Sequence, residues 1–351
     1  MRTAYDGTQY VGMDLHRNRS VLVSMTADGR HLWTEKIDNS PAALRKVLAQ
    51  AGRQPKVVLE ATHGWYWAAD TLQAADAEVH LAHPLGVKAF THRRVKNDQR
   101  DAADLADLLR MHRLPEAWIA PEPVRQLREL TRYRIKPVRL RTGCRAQIHA
   151  ILAKRGIPAA CSDIFGIGGR TWLHALPLPQ PYAGKLDSLL RLSDALTDEI
   201  HLLEEVIADL LAAHPGYRTI QACDGIGPIL AAVIVAEIGD VHRFKRPEQL
   251  ASWAGLTPRH RESDLKVARG HITKQGSPTL RWALIEAVQR VPATSIIGRV
   301  KAGIIARRGP EAKNIAKVAA ARQLLELIFY GLRDGRIRRL ERHRAAATDD
   351  G

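Results

Sequence analysis

Four acidic residues in the first third of the chain have the types and the spacing of a divalent-metal site. Asp14 lies near the end of one apolar run, and Glu60 closes another. Asp98 and Asp101 are three residues apart, so a helix would place both on one face. A pair of Mg²⁺ ions roughly 4 Å apart, which phosphodiester chemistry uses, needs several carboxylate oxygens of this kind.

Two other interpretations of these acids stay open. Asp104 follows Asp101 by three residues, so an Asp101/Asp104 pair would serve as well as the pair formed with Asp98. Asp98 would alternatively cap its helix, and the remaining acids would then be surface charges. The order of the surrounding elements decides how strongly the metal interpretation is favoured.

That order is typical of an RNase H-like fold. Residues 10–25 alternate and are rich in valine, and a turn precedes a third strand over 31–37. The elements that follow are a helix over 41–50, a strand over 56–62, a helix over 65–77, a strand over 78–83 and a helix from Asp98 to about His112. A meander followed by alternating helices and strands predicts a mixed sheet with helices on its faces. Asp14 and Glu60 would end neighbouring central strands.

The middle of the chain reads as basic and helical. Residues 122–155 predict a helix that Pro137 should kink or split. Leucines repeat every seven residues at Leu189, Leu196, Leu203 and Leu210, with isoleucines at Ile200 and Ile207 between them. This repeat favours a coiled coil or an antiparallel helix pair, and an ordinary bundle helix is nearly as good an interpretation. We expect domains at 1–120, 121–217 and 218–344, with a disordered tail at 345–351.

Composition points to a polyanionic partner and a reducing compartment. Lysine and arginine outnumber aspartate and glutamate by 53 to 37, giving a formal charge of +16 and a pI near 10.1. Nucleic acid is the commonest partner of such a chain, and a basic solvated surface is the plain alternative. Three scattered cysteines form no CxxC pair, which argues against a disulfide framework or a zinc site. No signal sequence or membrane span is expected, so we predict a cytoplasmic protein.

Further motifs that suit nucleic acid follow along the chain. Gly225 and Gly227 resemble the turn of a helix-hairpin-helix motif, whose N–H groups face a phosphate, although a packing turn is the alternative. Ser263 lies among cations that would hold a scissile phosphate. The candidate nucleic-acid-binding cations are Arg125, Arg128, Arg132, Arg139, Arg259, Arg261, Lys274 and Arg281.

These stretches together resemble the DEDD transposases of the IS-one-ten family of insertion sequences, relatives of the Piv DNA invertase. The resemblance covers nearly the whole chain and rests on the order and spacing of several short motifs. They are Gly12-Met-Asp-Leu-His16, Glu60-Ala-Thr-His-Gly64, Lys96-Asn-Asp-Gln-Arg-Asp-Ala102, Gly225-Ile-Gly-Pro228, Ala254-Gly-Leu-Thr-Pro-Arg259, Gly270-His-Ile-Thr-Lys-Gln-Gly276 and Leu280-Arg-Trp282.

The resemblance implies an α/β plus α protein: a RuvC-like domain, a helical connector and a mainly helical C-terminal transposase domain. It implies a Mg²⁺ site at Asp14, Glu60, Asp98 and Asp101, and Ser263 as the nucleophile that forms a serine-linked DNA intermediate. The partners implied are DNA, a structured bridge RNA that guides the reaction, and further copies of the chain, from dimer to tetramer. The location implied is the prokaryotic cytoplasm, with the protein associated with the nucleoid.

The chain departs from the family beside the expected nucleophile. The family usually has glycine after the serine, whereas this chain has Asp264, and a carboxylate there repels phosphate unless it is a base or pairs with an arginine. Ser277 and Ser252 therefore stay as alternatives. Two other functions are also open, namely a RuvC-like junction-resolving nuclease that uses water and a nucleic-acid-binding protein without catalysis.

Overall fold

The computed structural model describes residues 5–90, 97–263 and 266–349, with side chains described throughout these ranges except at 261–269 and 344–349. The chain divides into two compact units, Met1–Ala120 and Pro121–Gly351, so the expected connector and C-terminal domain lie in one unit. Among the helices of the described ranges, none combines the length and apolar character that crossing a bilayer requires.

The first unit contains a six-stranded mixed sheet. Its strands are β1 (Tyr10–Leu15), β2 (Arg19–Met25), β3 (His31–Asp38), β4 (Lys56–Glu60), β5 (Glu78–Ala82) and β6 (Glu116–Ala117). Its helices are α1 (Pro41–Leu48), α2 (Trp65–Gln73), α3 (Pro84–Val87) and α4 (Asp98–Arg110), with a 3-10 turn at Ala49–Ala51. The strand order is β3-β2-β1-β4-β5-β6, and β1 pairs antiparallel with β2 and parallel with β4. The predicted mixed sheet is confirmed.

Alternation along the strands gives the sheet two apolar faces, and each face is covered by helices. Val11, Met13 and Leu59 pack with Leu44 of α1 and Leu72 of α2 on one face. On the opposite face, α4 buries alanines and leucines against the valines of β2 and β4. The central strands therefore run inside the unit, and their ends reach its surface.

The second unit is helical apart from one hairpin. Its helices are α5 (Glu122–Lys154), α6 (Ile167–His174), α7 (Tyr182–Leu211), α8 (Pro215–Ile220), α9 (Pro228–Ile238), α10 (Pro247–Trp253), α11 (Pro278–Gln289), α12 (Ile296–Arg308), α13 (Lys313–Asp334) and α14 (Arg338–Asp349), with 3-10 turns at Val241–Arg243 and Pro310–Ala312. Its antiparallel strands are β7 (Pro258–Ser263) and β8 (Lys266–Ile272). The apolar helix α9 lies in the main core, with α11 and α13 around it.

The helices α5 and α7 form an antiparallel pair. Arg134 of α5 is hydrogen-bonded to Glu204, and Arg141 donates to Thr197 Oγ1 at 3.2 Å, so the two chain directions oppose each other. These contacts lie on either side of Pro137, which is buried inside α5. Of the two effects expected of Pro137, a kink or a split, the split does not occur, because packing against α7 on both sides of the proline offsets the lost backbone hydrogen bond.

Two further expectations need correction. Ile200 and Ile207 of the heptad repeat are buried, but Leu210 is 59% exposed, so the seam against α5 follows the isoleucines and not every leucine. The tail expected to be disordered from 345 is helical as far as Asp349, since an alanine-rich run continues α14. Residues 350 and 351 lie outside the described ranges.

Candidate functional site

Asp14, His16 and Asp98 converge at one edge of the first unit. Each offers one ligand atom, and these atoms all lie within 4.8 Å of one another. His16 Nε2 lies 3.1 Å from Asp14 Oδ2 and 3.5 Å from Asp98 Oδ1. The Asp14 side chain is 19% exposed and that of Asp98 is 52% exposed, so the group is open to solvent on one side. Among the described residues, this group does not include Glu60 or Asp101.

Glu60 nevertheless lies beside Asp14 in the sheet. The parallel ladder between β1 and β4 pairs Gly12 with Val58 and Met13 with Leu59, so the next position on each strand is Asp14 and Glu60. Because side chains alternate along a strand, Asp14 shares a face with Gly12 and Glu60 shares the same face with Val58. That is the face covered by α4.

The first turn of α4 supplies the remaining acids. Asn97 is the N-cap, and its Oδ1 accepts from Gln99 N at 3.0 Å. Asp98 is therefore not the cap, so capping does not explain its presence in this turn. Asp101 and Asp104 are both half-buried along the helix, which leaves either one available to complete the set with Asp98.

His16 was not among the candidate site residues, although its spacing from Asp14 carried the signal. Residues two apart at a strand end share a face, so an imidazole at position 16 belongs beside a carboxylate at position 14. The structure fixes its backbone through Asn39, whose Nδ2 donates to His16 O at 2.6 Å. Ser20 Oγ in turn donates to Asn39 Oδ1 at 2.6 Å, which ties this corner to β2.

The donor set suits a hard divalent cation with one qualification. Carboxylate oxygens are the usual protein ligands of Mg²⁺ and Mn²⁺, whereas imidazole is a ligand of softer metals and is unusual for Mg²⁺. His16 fits the role of an outer partner that hydrogen-bonds to the carboxylates and orients them. The carboxylates of Asp14 and Asp98 then remain as the candidate metal ligands, with Glu60 adjacent in the sheet.

The candidate nucleophile lies in the hairpin of the second unit. Ser263 is the last residue of β7 and pairs in register with Lys266, the first residue of β8. Its side chain and that of Arg261 are not among those described, and Asp264 lies outside the described ranges altogether. Of the alternative serines, Ser277 caps α11 by accepting from Leu280 N at 3.0 Å, and Ser252 is exposed on α10.

Arg281 has an internal role at the base of this hairpin. Its Nη1 donates to the carbonyl oxygens of Ala254 at 3.1 Å and Gly276 at 3.3 Å, and burial lowers the pKa of its guanidinium. Three backbone carbonyl oxygens accept from this nitrogen. Arg281 therefore holds the loops together, and it is a poor candidate for phosphate binding. Arg259 and Lys274 are exposed and remain suited to it.

The two glycines of the helix-hairpin-helix-like turn differ in their surroundings. Gly225 has φ +83°, and a Cβ there would lie 2.1 Å from Ala287 O, so this glycine is required by packing against α11. Gly227 is the N-cap of α9, and a Cβ there would meet nothing within 4 Å. Both glycines are exposed, but only at Gly227 does the space that a Cβ would occupy stay free.

Two of the four candidate arginines of α5 hold the end of α9, and a third is buried. Arg128 donates to the carbonyls of Ala236 and Glu237, each at 2.8 Å. Arg132 forms a two-point ion pair with the buried Glu237 carboxylate at 2.8 and 2.9 Å. Arg125 is 6% exposed, which removes it from contact with a nucleic acid. Arg128 and Arg132 complement the negative end of the α9 dipole. Arg139 is exposed, so it is the member of the set that suits phosphate.

Comparison with known proteins gives family matches in both units. An IS110-type DEDD transposase model, described as Transposase, matches residues 11–155. A second model, described as Transposase IS116/IS110/IS902 family, matches residues 217–297. The first match covers Asp14, Glu60, Asp98 and Asp101, and the second covers Ser263.

Individual relatives agree with the family matches. The chain is 30% identical over 285 residues to a probable family 20 transposase of Pseudomonas aeruginosa, covering 75% of this chain and 79% of that protein. It is 26% identical to a putative transposase of Sinorhizobium fredii, covering 83% of this chain and 74% of that protein. It is 25% identical to the transposase for insertion sequence element IS1111A of Coxiella burnetii, covering 82% and 79%. The chain belongs to the IS110 family of DEDD transposases.

Proposed function

We propose that this transposase cleaves and exchanges DNA strands at a divalent-metal site, Mg²⁺ in the cell, through a serine-linked DNA intermediate. The observation that carries the proposal is the meeting of Asp14 of β1 with Asp98 of α4, residues 84 positions apart in the sequence. Carboxylates brought together from a strand end and a helix terminus make an oxygen-rich site for a hard cation. The mixed sheet order supports a RuvC-like assignment for the first unit.

The roles of the acids follow from their placement. Asp14 and Asp98 would hold the metal, Glu60 would join from the neighbouring strand, and Asp101 would complete the set from the first turn of α4. Mg²⁺ held by these residues would supply Lewis-acid stabilisation of the charge that develops on the phosphate. His16 would donate to the carboxylates and fix their rotamers, so that the ligands are already oriented when the metal binds.

Ser263 would be the nucleophile of the second unit. In the step proposed, a bond forms between serine Oγ and phosphorus, and the bond from phosphorus to one sugar oxygen breaks. The serine proton ends on the released sugar hydroxyl, so the step is a transesterification without net hydrolysis. The phosphoserine bond keeps the energy of the broken linkage for the later strand exchange. Cations of the hairpin, Arg259 among them, would hold the phosphate.

The partners follow from charge and from the family. A net charge of +16 suits a chain that holds DNA and also a structured guide RNA. In a guided enzyme the target sequence is read by base pairing, so no side chain of this protein would encode the target. We propose that copies of the chain associate into dimers or tetramers on the DNA, in the nucleoid-associated cytoplasm of a prokaryote.

A covalent trap tests this function. The purified chain, the DNA ends of its insertion sequence and RNA transcribed from the flank of that element are incubated with Mg²⁺ and run on a denaturing gel. The expected result is a DNA–protein adduct that is absent in Ser263→Ala and in Asp14→Asn. Ser162→Ala is the matched control, because this exposed serine is not among the candidate nucleophiles and should leave the adduct unchanged.

The same gel separates the alternatives. Cleaved DNA without an adduct would identify a nuclease that uses water and would refute the serine intermediate. An adduct that persists in Ser263→Ala and disappears in Ser277→Ala would move the nucleophile to the cap of α11. An adduct formed only when the RNA is present would establish the guide as an obligatory part of the enzyme.

A further inference from the structure

An open cavity lies at the base of the β7–β8 hairpin. Its volume is about 390 Å³, within the range of small-molecule pockets. Leu256, Ile272, Ile285 and Val318 give it an apolar lining, and the last three also pack against the main core of the second unit. The floor of the cavity is therefore held by the fold and does not depend on a ligand.

Trp282 lines this cavity and is 42% exposed. Its neighbours Ala283 and Leu284 on α11 are fully buried, so the helix is firmly packed while the indole stays at the surface. An aromatic side chain normally contributes much apolar burial, and one left exposed beside an apolar cavity offers a stacking surface. Isolated exposed aromatic side chains are common, so Trp282 alone does not identify a ligand. The other residues that line the cavity indicate what would stack on the indole.

The polar groups of the lining suit a nucleobase. Lys274 adds positive charge at the edge of the cavity, which favours a ligand that brings phosphate, whereas Arg281 beside it is engaged by backbone carbonyls. Glu286 also lines the cavity, and Gln289 Nε2 donates to its Oε2 at 3.4 Å. A carboxylate at this position accepts from the exocyclic amino group of a base such as cytosine. An aliphatic peptide would satisfy neither the cation nor the acid.

The cavity is close to the candidate nucleophile along the hairpin. Ile272 lines the cavity and pairs with Pro258 at the start of β7, and Ser263 is five residues further along that strand. At about 3.3 Å per residue, this separation is about 17 Å. A stacked DNA strand advances about 3.4 Å per nucleotide, so a strand lying along the hairpin would present to the cavity a base about five nucleotides from the attacked phosphate.

We propose that this cavity binds one unstacked nucleobase of the DNA strand that Ser263 attacks, with Trp282 as the stacking partner. The inference rests on the proposed function, because it takes the hairpin as the place where the strand lies. Binding a base in this way holds the strand in register beside the scissile phosphate. Trp282 is thus a positioning residue, and it does not touch the reacting atoms.

The test is an abasic scan of the DNA end combined with variants of Trp282. Single abasic nucleotides are placed in turn at each of about ten positions around the cleaved bond, and equilibrium affinity for the DNA is measured at fixed salt. With the wild-type chain, one position about five nucleotides from the bond should lose about tenfold in affinity, the scale of one base stacked on an aromatic ring. With Trp282→Ala that position should show no loss, whereas Trp282→Phe should restore most of it.

Control measurements distinguish the loss of base binding from a folding effect and from failure of the proposed function. Leu202→Ala removes another exposed apolar side chain, from the acidic helix α7, and should keep the wild-type abasic profile. Because the indole is half exposed, Trp282→Ala should unfold at nearly the wild-type temperature. The serine adduct is measured on the same samples. If the adduct forms at the wild-type level but the effect of abasic nucleotides does not depend on Trp282, the proposed function stands and only this inference is overturned.

Three results would overturn the inference. One is an abasic position whose loss persists undiminished in Trp282→Ala. Another is a wild-type profile in which no DNA position responds. The third is a response to abasic nucleotides in the guide RNA in place of the DNA, which would show that the occupant is an RNA base.

Discussion

The backbone of Gly12 in β1 lies directly against the carbonyl of Ala102 in α4. A Cβ on Gly12 would come within 1.8 Å of Ala102 O and 2.8 Å of Ala106 N. Gly12 precedes Asp14 by two residues on the same strand face, and Ala102 follows Asp98 by one turn of helix. The close approach of this strand and helix therefore sets the distance between the two carboxylates.

Gly12→Ala should accordingly separate α4 from β1 and weaken the metal site. The added methyl meets backbone and not a movable side chain, so we expect destabilisation of about 3 kcal/mol, at the upper end of overpacking costs. Mn²⁺ affinity should fall with it, as measured by titration calorimetry at a temperature where the variant is folded. Gly143→Ala on the exposed face of α5, where a Cβ meets nothing within 4 Å, is the control. It should stabilise the chain by about 0.5–1 kcal/mol through helix propensity.

Removing individual groups of the site should separate ligands from orienting groups. Asp14→Asn and Asp98→Asn should abolish measurable Mn²⁺ binding, because each loses a charged ligand. His16→Ala should leave binding but weaken it about 10- to 100-fold, the usual effect of losing an outer partner. Excess chelator should end strand cleavage, and added Mg²⁺ should restore it.

The opposite order would contradict this assignment. If His16→Ala abolished binding while Asp98→Asn left it intact, the imidazole would be a direct ligand and a softer metal would be indicated. Asp101→Asn and Asp104→Asn measured side by side decide which of the two completes the set, since both lie in α4 with similar exposure.

Much of the first unit was predictable from local patterns. Alternation and valine content gave β1 and β2, and the element order of an RNase H-like fold placed Asp14 and Glu60 at the ends of neighbouring strands. The sequence predicted that Asp98 would lie near Asp14, but not how close the two would be. Their distance depends on how closely α4 packs against the sheet at Gly12. His16 was overlooked because its only signal was its two-residue spacing from Asp14, at the point where the strand ends.

The second unit was less predictable, and the reason is long-range packing. Arg128 and Arg132 form a basic helix face in sequence, yet their partners at the end of α9 are more than 100 residues away. The segment 258–272 is rich in charged residues and lacks regular apolar alternation, so a strand pattern is absent from its sequence. Pro137 predicts a break that α7 prevents.

The ion pair of Arg132 with Glu237 should be a determinant of stability. Glu237 is 1% exposed, so Arg132→Met leaves a buried carboxylate without the guanidinium that accompanies it. We expect a loss of about 2 kcal/mol in unfolding free energy, moderate because Arg132 is itself partly exposed. Chemical denaturation measures the loss. Arg132→Met in a Glu237→Gln background should cost less, and an equal cost would show that the pair contributes nothing specific.

Salt dependence of nucleic-acid binding should identify the cations that contact phosphate. Arg139→Ala and Arg259→Ala each remove an exposed charge, and each should reduce the slope of log affinity against log salt by about 0.9 for duplex DNA. Neither variant should change the unfolding temperature. Arg128→Ala is the contrast, because its donors hold α9, and it should lower thermal stability. A reduced slope in Arg128→Ala at full stability would reverse this assignment.

The two glycines of the helix-hairpin-helix-like turn should respond oppositely to alanine. Gly225→Ala forces a side chain into a left-handed conformation 2.1 Å from Ala287 O, so it should destabilise the second unit by about 3 kcal/mol or more. Gly227→Ala meets open space, so the fold should survive with a loss of about 1 kcal/mol from the weaker N-cap.

DNA affinity separates the two roles of this turn. If the N-terminus of α9 receives a phosphate, the methyl of Gly227→Ala lies in its path, and affinity should fall about fivefold or more while the chain stays folded. Unchanged affinity in Gly227→Ala would mean that the turn serves packing alone, as Gly225 already does. The pair of variants thus decides between the two interpretations of one motif, because an added Cβ would meet the backbone of α11 at Gly225 and open space at Gly227.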